Sequence, residues 1–197
     1  MRRAPDREEK NETPEKNESI EDRLVFNSRY VLIFGEINHK TARSTCERLI
    51  AMAEESEDPI NILVSSPGGH VESGDAIHDI IRFIRAPVTT IGTGWVASAG
   101  THIFLAADRD RRLCLPNTRF MIHQPGGGAG GPATDIAIQA KEILRTRERV
   151  ARVIARETGQ TLEKVTADME RDFWMNPDEA IAYGIVSKVI ERYSDLV

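Results

Sequence analysis

Ile60-Asn-Ile-Leu-Val-Ser65 is a short run rich in apolar and β-branched residues, and it stops at the turn sequence Ser66-Pro-Gly-Gly69. Glycine is the residue that adopts the backbone of such a turn at little cost. The residues after the turn have helical periodicity, and Ser73 is the predicted N-cap of that helix. The positions predicted on its buried face are Ala76, Ile77, Ile80, Ile81 and Ile84. Together these segments predict one β-turn-α unit.

Strand and helix patterns alternate on both sides of this unit, which predicts an α/β fold around a largely parallel sheet. Further strands are predicted at residues 30–37, 88–92, 117–123 and 185–190. Further helices are predicted at residues 41–54, 97–107, 135–158 and 161–170, with a short one from Pro177. The longest of these patterns ends at Gly159, a residue that is common directly after helices.

The composition excludes several classes of protein. The 197 residues include 26 Lys and Arg and 31 Asp and Glu, for a net charge of −5, which argues against a nucleic-acid partner. No apolar run approaches the roughly 18 residues of a membrane helix, so we expect a cytoplasmic protein with no membrane partner. The two cysteines, Cys46 and Cys114, are predicted to be buried thiols.

Residues 1–22 are dense in Glu, Lys, Arg and Asn and contain almost no large apolar side chain. Such a segment cannot offset its own ordering entropy, so it is predicted to be a disordered tail or a removable propeptide. Residues 23–197 are then expected to form a single domain.

One glycine pattern requires a separate hypothesis. Gly92-Thr-Gly-Trp-Val-Ala97 matches the dinucleotide-binding pattern G-x-G-x-x-G/A, and Asp108 and Asp110 follow it. Those aspartates lie in a charged run, residues 108–112, that is predicted to be an exposed loop rather than the end of a strand. Trp95 also places a bulky side chain inside the turn where a phosphate would have to approach. Both tryptophans, Trp95 and Trp174, are predicted to pack in the core. The sequence therefore disfavours a nucleotide site.

Three residues form a candidate catalytic set. Ser98 follows a predicted strand among small neighbours, where helix N-terminal N–H groups suit a developing oxyanion. His123 ends another strand beside a glycine-rich segment, and Asp172 supplies a carboxylate that would hold an imidazole in one tautomer. Each residue alone has an ordinary structural explanation, as a cap or a surface histidine. Together they predict nucleophilic catalysis.

Several motifs resemble those of the Clp protease proteolytic subunit family, in the same order along the chain. They are Ser66-Pro-Gly-Gly69, Ala97-Ser-Ala-Gly100, Leu115-Pro-Asn-Thr-Arg-Phe-Met-Ile-His-Gln-Pro125, Ala133-Thr-Asp-Ile136 and Arg171-Asp-Phe-Trp-Met175. The likeness covers about residues 24–190 and marks a somewhat divergent member. It implies the ClpP/crotonase-like superfold of repeated ββα units, with a protruding handle helix at residues 135–158, and serine-type hydrolysis of unfolded polypeptides and short peptides.

The resemblance also assigns roles to individual residues. Ser98 is the expected nucleophile, His123 the general base and Asp172 the residue that orients it. The N–H groups of Gly69 and Ala99 match the family's oxyanion positions. The further substrate-binding residues are Gly68, Val71 and Gly127, because an extended substrate is expected to pair with residues 69–71 and 127–129.

The partners implied by the resemblance are other protein chains. Family members form heptameric rings that stack in pairs and dock an AAA+ Clp unfoldase, which uses the ATP, so no cofactor or metal is expected in this subunit. Glu170-Arg171 matches a pair that links rings. Gly126, Gly130 and Pro132 depart from the family pattern, which predicts a mobile contact between rings and single heptamers. Where tyrosines commonly line the unfoldase pocket this chain has Asn61, Leu63 and His78, which favours an unusual unfoldase or a second Clp proteolytic subunit.

Three alternatives stay open at this point. A crotonase-type protein would bind acyl-CoA in the same scaffold without needing all three candidate residues. A Ser-Lys peptidase would require a lysine base, for which Lys141 in the handle helix is a poor candidate. A silent or partner-activated ring subunit would keep the three residues without aligning them.

Overall fold

The computed structural model describes residues 20–128 and 130–196. Over these residues the chain forms seven helices and seven strands, with short 3-10 turns at Arg109–Arg111 and Tyr193–Leu196. The helices are α1 Ile20–Asn27, α2 His39–Glu55, α3 Val71–Phe83, α4 Ala99–Phe104, α5 Ala133–Thr158, α6 Leu162–Asp168 and α7 Pro177–Tyr183. The strands are β1 Tyr30–Phe34, β2 Ile60–Ser66, β3 Val88–Ala97, β4 Arg112–Cys114, β5 Arg119–Ile122, β6 Phe173–Met175 and β7 Lys188–Val189.

The sheet is mostly parallel, as the alternating pattern predicts. Its strands run in the order β1-β2-β3-β4-β7, and each of these neighbours pairs in parallel. The long strand β3 pairs with β4 through its first half and with β5 through its second half. Strand β6 then pairs antiparallel with β5. The alternating burial of β2, in which every second residue from Ile60 to Ser66 is fully buried, places this strand in the middle of the core.

Helix α5 protrudes from the core, which agrees with the predicted handle. Its buried residues are all in the last three turns: Val150, Ala151, Ile154 and Thr158. Ile136, Ile138 and Leu144 of the first turns are 41%, 58% and 62% exposed. The helix ends at Gly159, whose φ of 78° is a left-handed conformation that favours glycine. None of the helices in the described ranges is long and apolar enough to cross a membrane.

The predicted tail needs correction at its end. The boundary between the tail and the domain is predicted before residue 23, but residues 20–22 already belong to α1. Residues 1–19 of the predicted tail lie outside the described part of the chain. Phe26 packs against the core and Arg48 pairs with Asp22 at 3.4 Å. These contacts with the rest of the domain stabilise a helix that the local composition does not indicate.

The predicted exposed loop at residues 108–112 is also wrong at its last residue. Arg112 is 1% exposed and begins β4. Its guanidinium donates to the carbonyl oxygens of Ala107 and Glu157, both at 2.8 Å, and to Glu157 Oε2 at 2.6 Å. A buried charge needs a partner of this kind, and Glu157, near the end of α5, supplies it.

Four smaller predictions also fail. Helix α3 begins at Val71, so its N-cap is His70 rather than Ser73, and the His70 ring accepts from the Ser73 N–H at 3.2 Å. On the same helix Ala76 is exposed rather than buried. Trp95 is 46% exposed rather than packed in the core, and Cys46 is only half-buried, whereas Cys114 is fully buried.

Candidate active site

Ser98 lies at the sharp junction between β3 and α4. Its backbone has φ 56° and ψ −121°, a conformation that a residue with a side chain rarely adopts. Two backbone hydrogen bonds hold it there: the Ser98 N–H donates to Met121 O at 2.9 Å, and Ser98 O accepts from the His102 N–H at 3.1 Å. Backbone strain of this kind concentrates at functional sites, where the surrounding structure enforces it.

Strand register brings His123 to Ser98. Ala97 of β3 pairs with Met121 of β5, so the residues that follow these two strands meet at the same edge of the sheet. His123 Nε2 lies 2.8 Å from Ser98 Oγ. The His123 side chain is 31% exposed, which leaves it open to a ligand in the adjacent cleft.

Strand register also places Asp172. Ile122 of β5 pairs with Phe173 of the antiparallel β6, so the next position on β5 faces Asp172. His123 Nδ1 lies 3.0 Å from Asp172 Oδ1. Because the carboxylate only accepts, Nδ1 carries the hydrogen and Nε2 presents its lone pair to Ser98. The three residues thus form a continuous hydrogen-bonded chain from Asp172 through His123 to Ser98.

Gly68 and Gly69 form a turn that no other residue fits. A Cβ on Gly68 would lie 2.5 Å from the Ser98 Cβ, and a Cβ on Gly69 would lie 2.2 Å from Ile37 O. Both have positive φ, 95° and 147°. Glycine therefore lets the turn sit directly against Ser98, as the sequence predicts for these two positions.

The turn leaves N–H groups available beside Ser98. Ile37 bridges the turn by donating to Gly68 O at 2.9 Å and accepting from His70 N at 2.8 Å, so the Gly69 N–H takes no part in that bridge. Ala99 is the first residue of α4, and a first-turn N–H has no acceptor within its own helix. Within the described residues, neither N–H has a hydrogen-bond partner.

A cleft with about 380 Å³ of free space, including its mouth, opens beside Ser98. The residues around it are Val71, Ser98, Ala99, His102, Ile122, His123, Pro125, Val150 and Ile154. Val71 is thus placed where the sequence predicts a substrate contact. Gly127 lies outside the strands, against Ile143 of α5, and Ala129 of its predicted substrate edge lies outside the described residues.

His102 also lines the cleft, and it is not among the site residues predicted from the sequence. The signal was present in the spacing: His102 follows Ser98 by four residues, which places the two on the same face of a helix. No group of His, Cys, Asp and Glu suitable for a metal ion occurs in residues 20–128 and 130–196.

The nucleotide-binding interpretation loses its structural basis. Residues 92–97 of the dinucleotide pattern all lie within β3, so they form no phosphate-binding turn before a helix.

Burial raises the pKa of the Cys114 thiol to about 11, which keeps this residue protonated and unreactive at neutral pH.

Glu170 and His78, to which the resemblance gave partner contacts, have contacts within this chain. Glu170 Oε2 lies 2.6 Å from Arg147 Nη2, next to the exposed Arg171. His78 is 4% exposed and stacks on His102, so it adds nothing to an outer surface of the subunit. Asn61 and Leu63 are half-buried on β2.

Comparisons with known proteins agree with this architecture. The family model described as Clp protease matches residues 12–193. The chain is 55% identical over 192 residues to ATP-dependent Clp protease proteolytic subunit 2 of Gluconobacter oxydans, covering 96% of this chain and 86% of the relative. It is 48% identical to proteolytic subunit 3 of Rhizobium meliloti over the full length of both.

Solved structures extend the likeness to three dimensions. A mutant of ClpP1 from Listeria monocytogenes superposes with a TM-score of 0.85 at 49% identity, covering 90% of this chain and all of that one. The unmutated ClpP1 superposes with a TM-score of 0.81 at 48% identity. The predicted fold class is therefore confirmed, and the chain belongs to the Clp protease family as a proteolytic subunit of the ClpP type.

Proposed function

We propose that this subunit is a serine-type endopeptidase in which Ser98, His123 and Asp172 act as one catalytic unit. The observation that carries the proposal is the hydrogen-bonded chain from Asp172 Oδ1 through both nitrogens of His123 to Ser98 Oγ, at 3.0 and 2.8 Å. An imidazole bonded on both sides in this way is oriented to take a proton from the serine and later give it to the leaving amine. Asp172 stabilises the imidazolium formed between these two transfers.

The developing oxyanion is assigned to the N–H groups of Gly69 and Ala99. Attack of Ser98 Oγ on a peptide carbonyl turns that oxygen into an anion, which backbone donors fixed in advance stabilise without reorganisation. The Gly68 backbone, held against Ser98, supports the position of the Gly69 donor. The edge from Gly69 to Val71 is then available to pair with an extended polypeptide, with Gly127 on the opposite side.

Adding a side chain at Gly69 should remove this oxyanion donor. In Gly69→Ala the new Cβ would collide with Ile37 O, so the turn must shift and carry its N–H away from the substrate. Loss of one such donor lowers kcat by about 10²–10³. Steady-state hydrolysis of a short peptide measures this change.

The matched control is Gly130→Ala, which adds the same methyl group where nothing lies within 4 Å. It should retain the wild-type kcat. Equal activity of Gly69→Ala and wild type would exclude Gly69 as an oxyanion donor.

The proposed partners are further subunits and an ATP-driven unfoldase. The exposed apolar residues Ile136, Ile138 and Leu144 on the protruding half of α5 suit a helix that packs on another subunit. We therefore propose a heptameric ring that acts with a Clp-type AAA+ ATPase, with single heptamers and a second proteolytic subunit as further hypotheses. ATP would be consumed by that ATPase, and the subunit itself would need no cofactor.

The alternatives of the sequence analysis receive no support from a particular contact. Lys141 lies in the exposed half of α5 and does not line the cleft, so a Ser-Lys mechanism lacks its base. In a silent subunit Ser98 and His123 would not need to lie within hydrogen-bond distance of each other. In this structure they do lie within that distance.

Hydrolysis with and without a chelator tests the proposed class of peptidase. The purified protein should cleave short fluorogenic peptides without ATP, and EDTA should leave that rate unchanged because no step uses a metal. A stable folded protein should be degraded only after a Clp-type ATPase and ATP are added. Peptide hydrolysis that EDTA abolishes and zinc restores would contradict the serine mechanism.

A further inference from the structure

The cleft beside Ser98 has one buried polar group in an otherwise aliphatic wall. Val71, Val150 and Ile154 supply apolar surface, and His102 supplies an imidazole that is 5% exposed. His102 lies one helical turn after Ser98, and its N–H donates to Ser98 O at 3.1 Å. A ligand side chain that enters the cleft next to Ser98 therefore meets His102.

One edge of the His102 ring is already used. His102 Nε2 lies 3.0 Å from Asp75 Oδ1, and Arg149 Nη1 lies 2.6 Å from the same oxygen. Burial alone would raise the pKa of Asp75, but the hydrogen bonds from His102 and Arg149 outweigh it and lower that pKa to about 2. Asp75 is therefore a carboxylate, which accepts only, and Nε2 carries the hydrogen in the neutral ring.

The other ring nitrogen has no partner. His102 Nδ1 is fully buried and makes no hydrogen bond to any described residue. His78 stacks on the ring at a centroid distance of 4.5 Å, and His78 Nδ1 bonds the His102 carbonyl at 3.0 Å, so the ring is clamped on its face as well as on its Nε2 edge. With Nε2 committed to Asp75, Nδ1 is the polar atom that His102 has left to offer to the cleft.

We propose that His102 determines specificity by accepting a hydrogen bond from a glutamine side chain at the substrate position just before the scissile bond. This inference rests on the proposed peptidase function, because the side chain next to the attacked carbonyl is the one that reaches a cleft beside Ser98. An uncharged amide donor satisfies the buried acceptor Nδ1, and the aliphatic walls contact the glutamine methylenes.

The same chemistry disfavours close analogues of glutamine. Methionine has a similar length but no donor, so it leaves Nδ1 buried and unpaired. Glutamate would place a carboxylate oxygen, which only accepts hydrogen bonds, next to His102 Nδ1, which is also an acceptor. Lysine would bury a cation beside His102, whose carboxylate partner Asp75 is already matched by Arg149.

The test uses peptides that differ only at this position, with Gln, Met or Glu, all assayed at the same pH. For the wild type we expect kcat/KM for the Gln peptide to exceed that for the Met peptide by roughly tenfold, the effect of one net hydrogen bond. His102→Phe keeps a flat ring but removes the acceptor, so the ratio should fall to about one or below. Because both rates come from one preparation, the ratio does not depend on the fraction of active protein.

His78→Phe is the matched control, since it replaces the other histidine of the stacked pair and leaves Nδ1 in place. It should keep the Gln preference. Asp75→Asn is the second variant, for use if His102→Phe does not fold. An asparagine can donate to Nε2 as well as accept from it, so the ring hydrogen is no longer held on Nε2 and the Gln to Met ratio should fall.

Binding of the same peptides to Ser98→Ala, measured by calorimetry, separates the two hypotheses because it needs no turnover. Preferential binding of the Gln peptide without hydrolysis by the wild type would contradict the proposed peptidase and support the role of His102. Hydrolysis without a Gln preference, or a preference that persists in His102→Phe, would overturn this inference and leave the peptidase intact.

Discussion

Ser98→Ala is expected to lower kcat for peptide hydrolysis by about 10⁶, which is the effect of removing the nucleophile from a serine, histidine and carboxylate unit. The substitution deletes only the Oγ atom, whose hydrogen-bond partner is the partly exposed His123, so the fold should remain. Hydrolysis of a fluorogenic peptide measures the loss, and thermal unfolding checks the fold.

Ser28→Ala serves as the control for Ser98→Ala. Its hydroxyl donates to Val25 O just after α1, so losing it should leave kcat unchanged. If Ser98→Ala hydrolysed peptides at even a hundredth of the wild-type rate, another residue would have to be the nucleophile.

His123→Ala should be about as damaging as Ser98→Ala, because the serine is not activated without its base. Combining the two substitutions should cost little more than either alone, since they remove the same catalytic unit. Additive losses in that double-mutant cycle would mean that His123 and Ser98 act independently.

Asp172→Asn should have a smaller effect than His123→Ala. In a buried triad the equivalent change costs about 10⁴ in kcat, because an amide no longer holds the histidine in the right tautomer. Asp172 is 62% exposed, so water can replace part of its interaction with His123, and we expect a loss nearer to 10²–10³. A loss as large as that of His123→Ala would show that this exposure does not matter.

The sequence predicts the elements with long or strongly patterned signals. The apolar run of β2 and the glycine turn after it identify the β-turn-α unit, and Gly159 marks the end of α5. Strands β4 and β6 have three residues each, and β7 has two, which is too short for a recognisable pattern. The expected closing strand at residues 185–190 is reduced to β7, because only Lys188 and Val189 pair in register with the short β4.

The candidate site was predictable in part. Ser98, His123 and Asp172 each follow or precede a strand, and the ordered motifs indicated how they combine. The antiparallel pairing of β5 with β6, which sets Asp172 opposite His123, depends on long-range contacts that local patterns do not encode. The strained φ of Ser98 and the buried pair of Arg112 and Glu157 are likewise visible only after folding.

The most direct test of the proposed catalytic unit is reaction of the purified protein with a fluorophosphonate, followed by intact-mass measurement and peptide mapping. An activated serine forms a stable covalent adduct with this reagent, whereas an unactivated serine does not. The account predicts one adduct per chain, on Ser98, and none in His123→Ala. An adduct on another residue, or peptide hydrolysis by a protein whose Ser98 does not react, would contradict it.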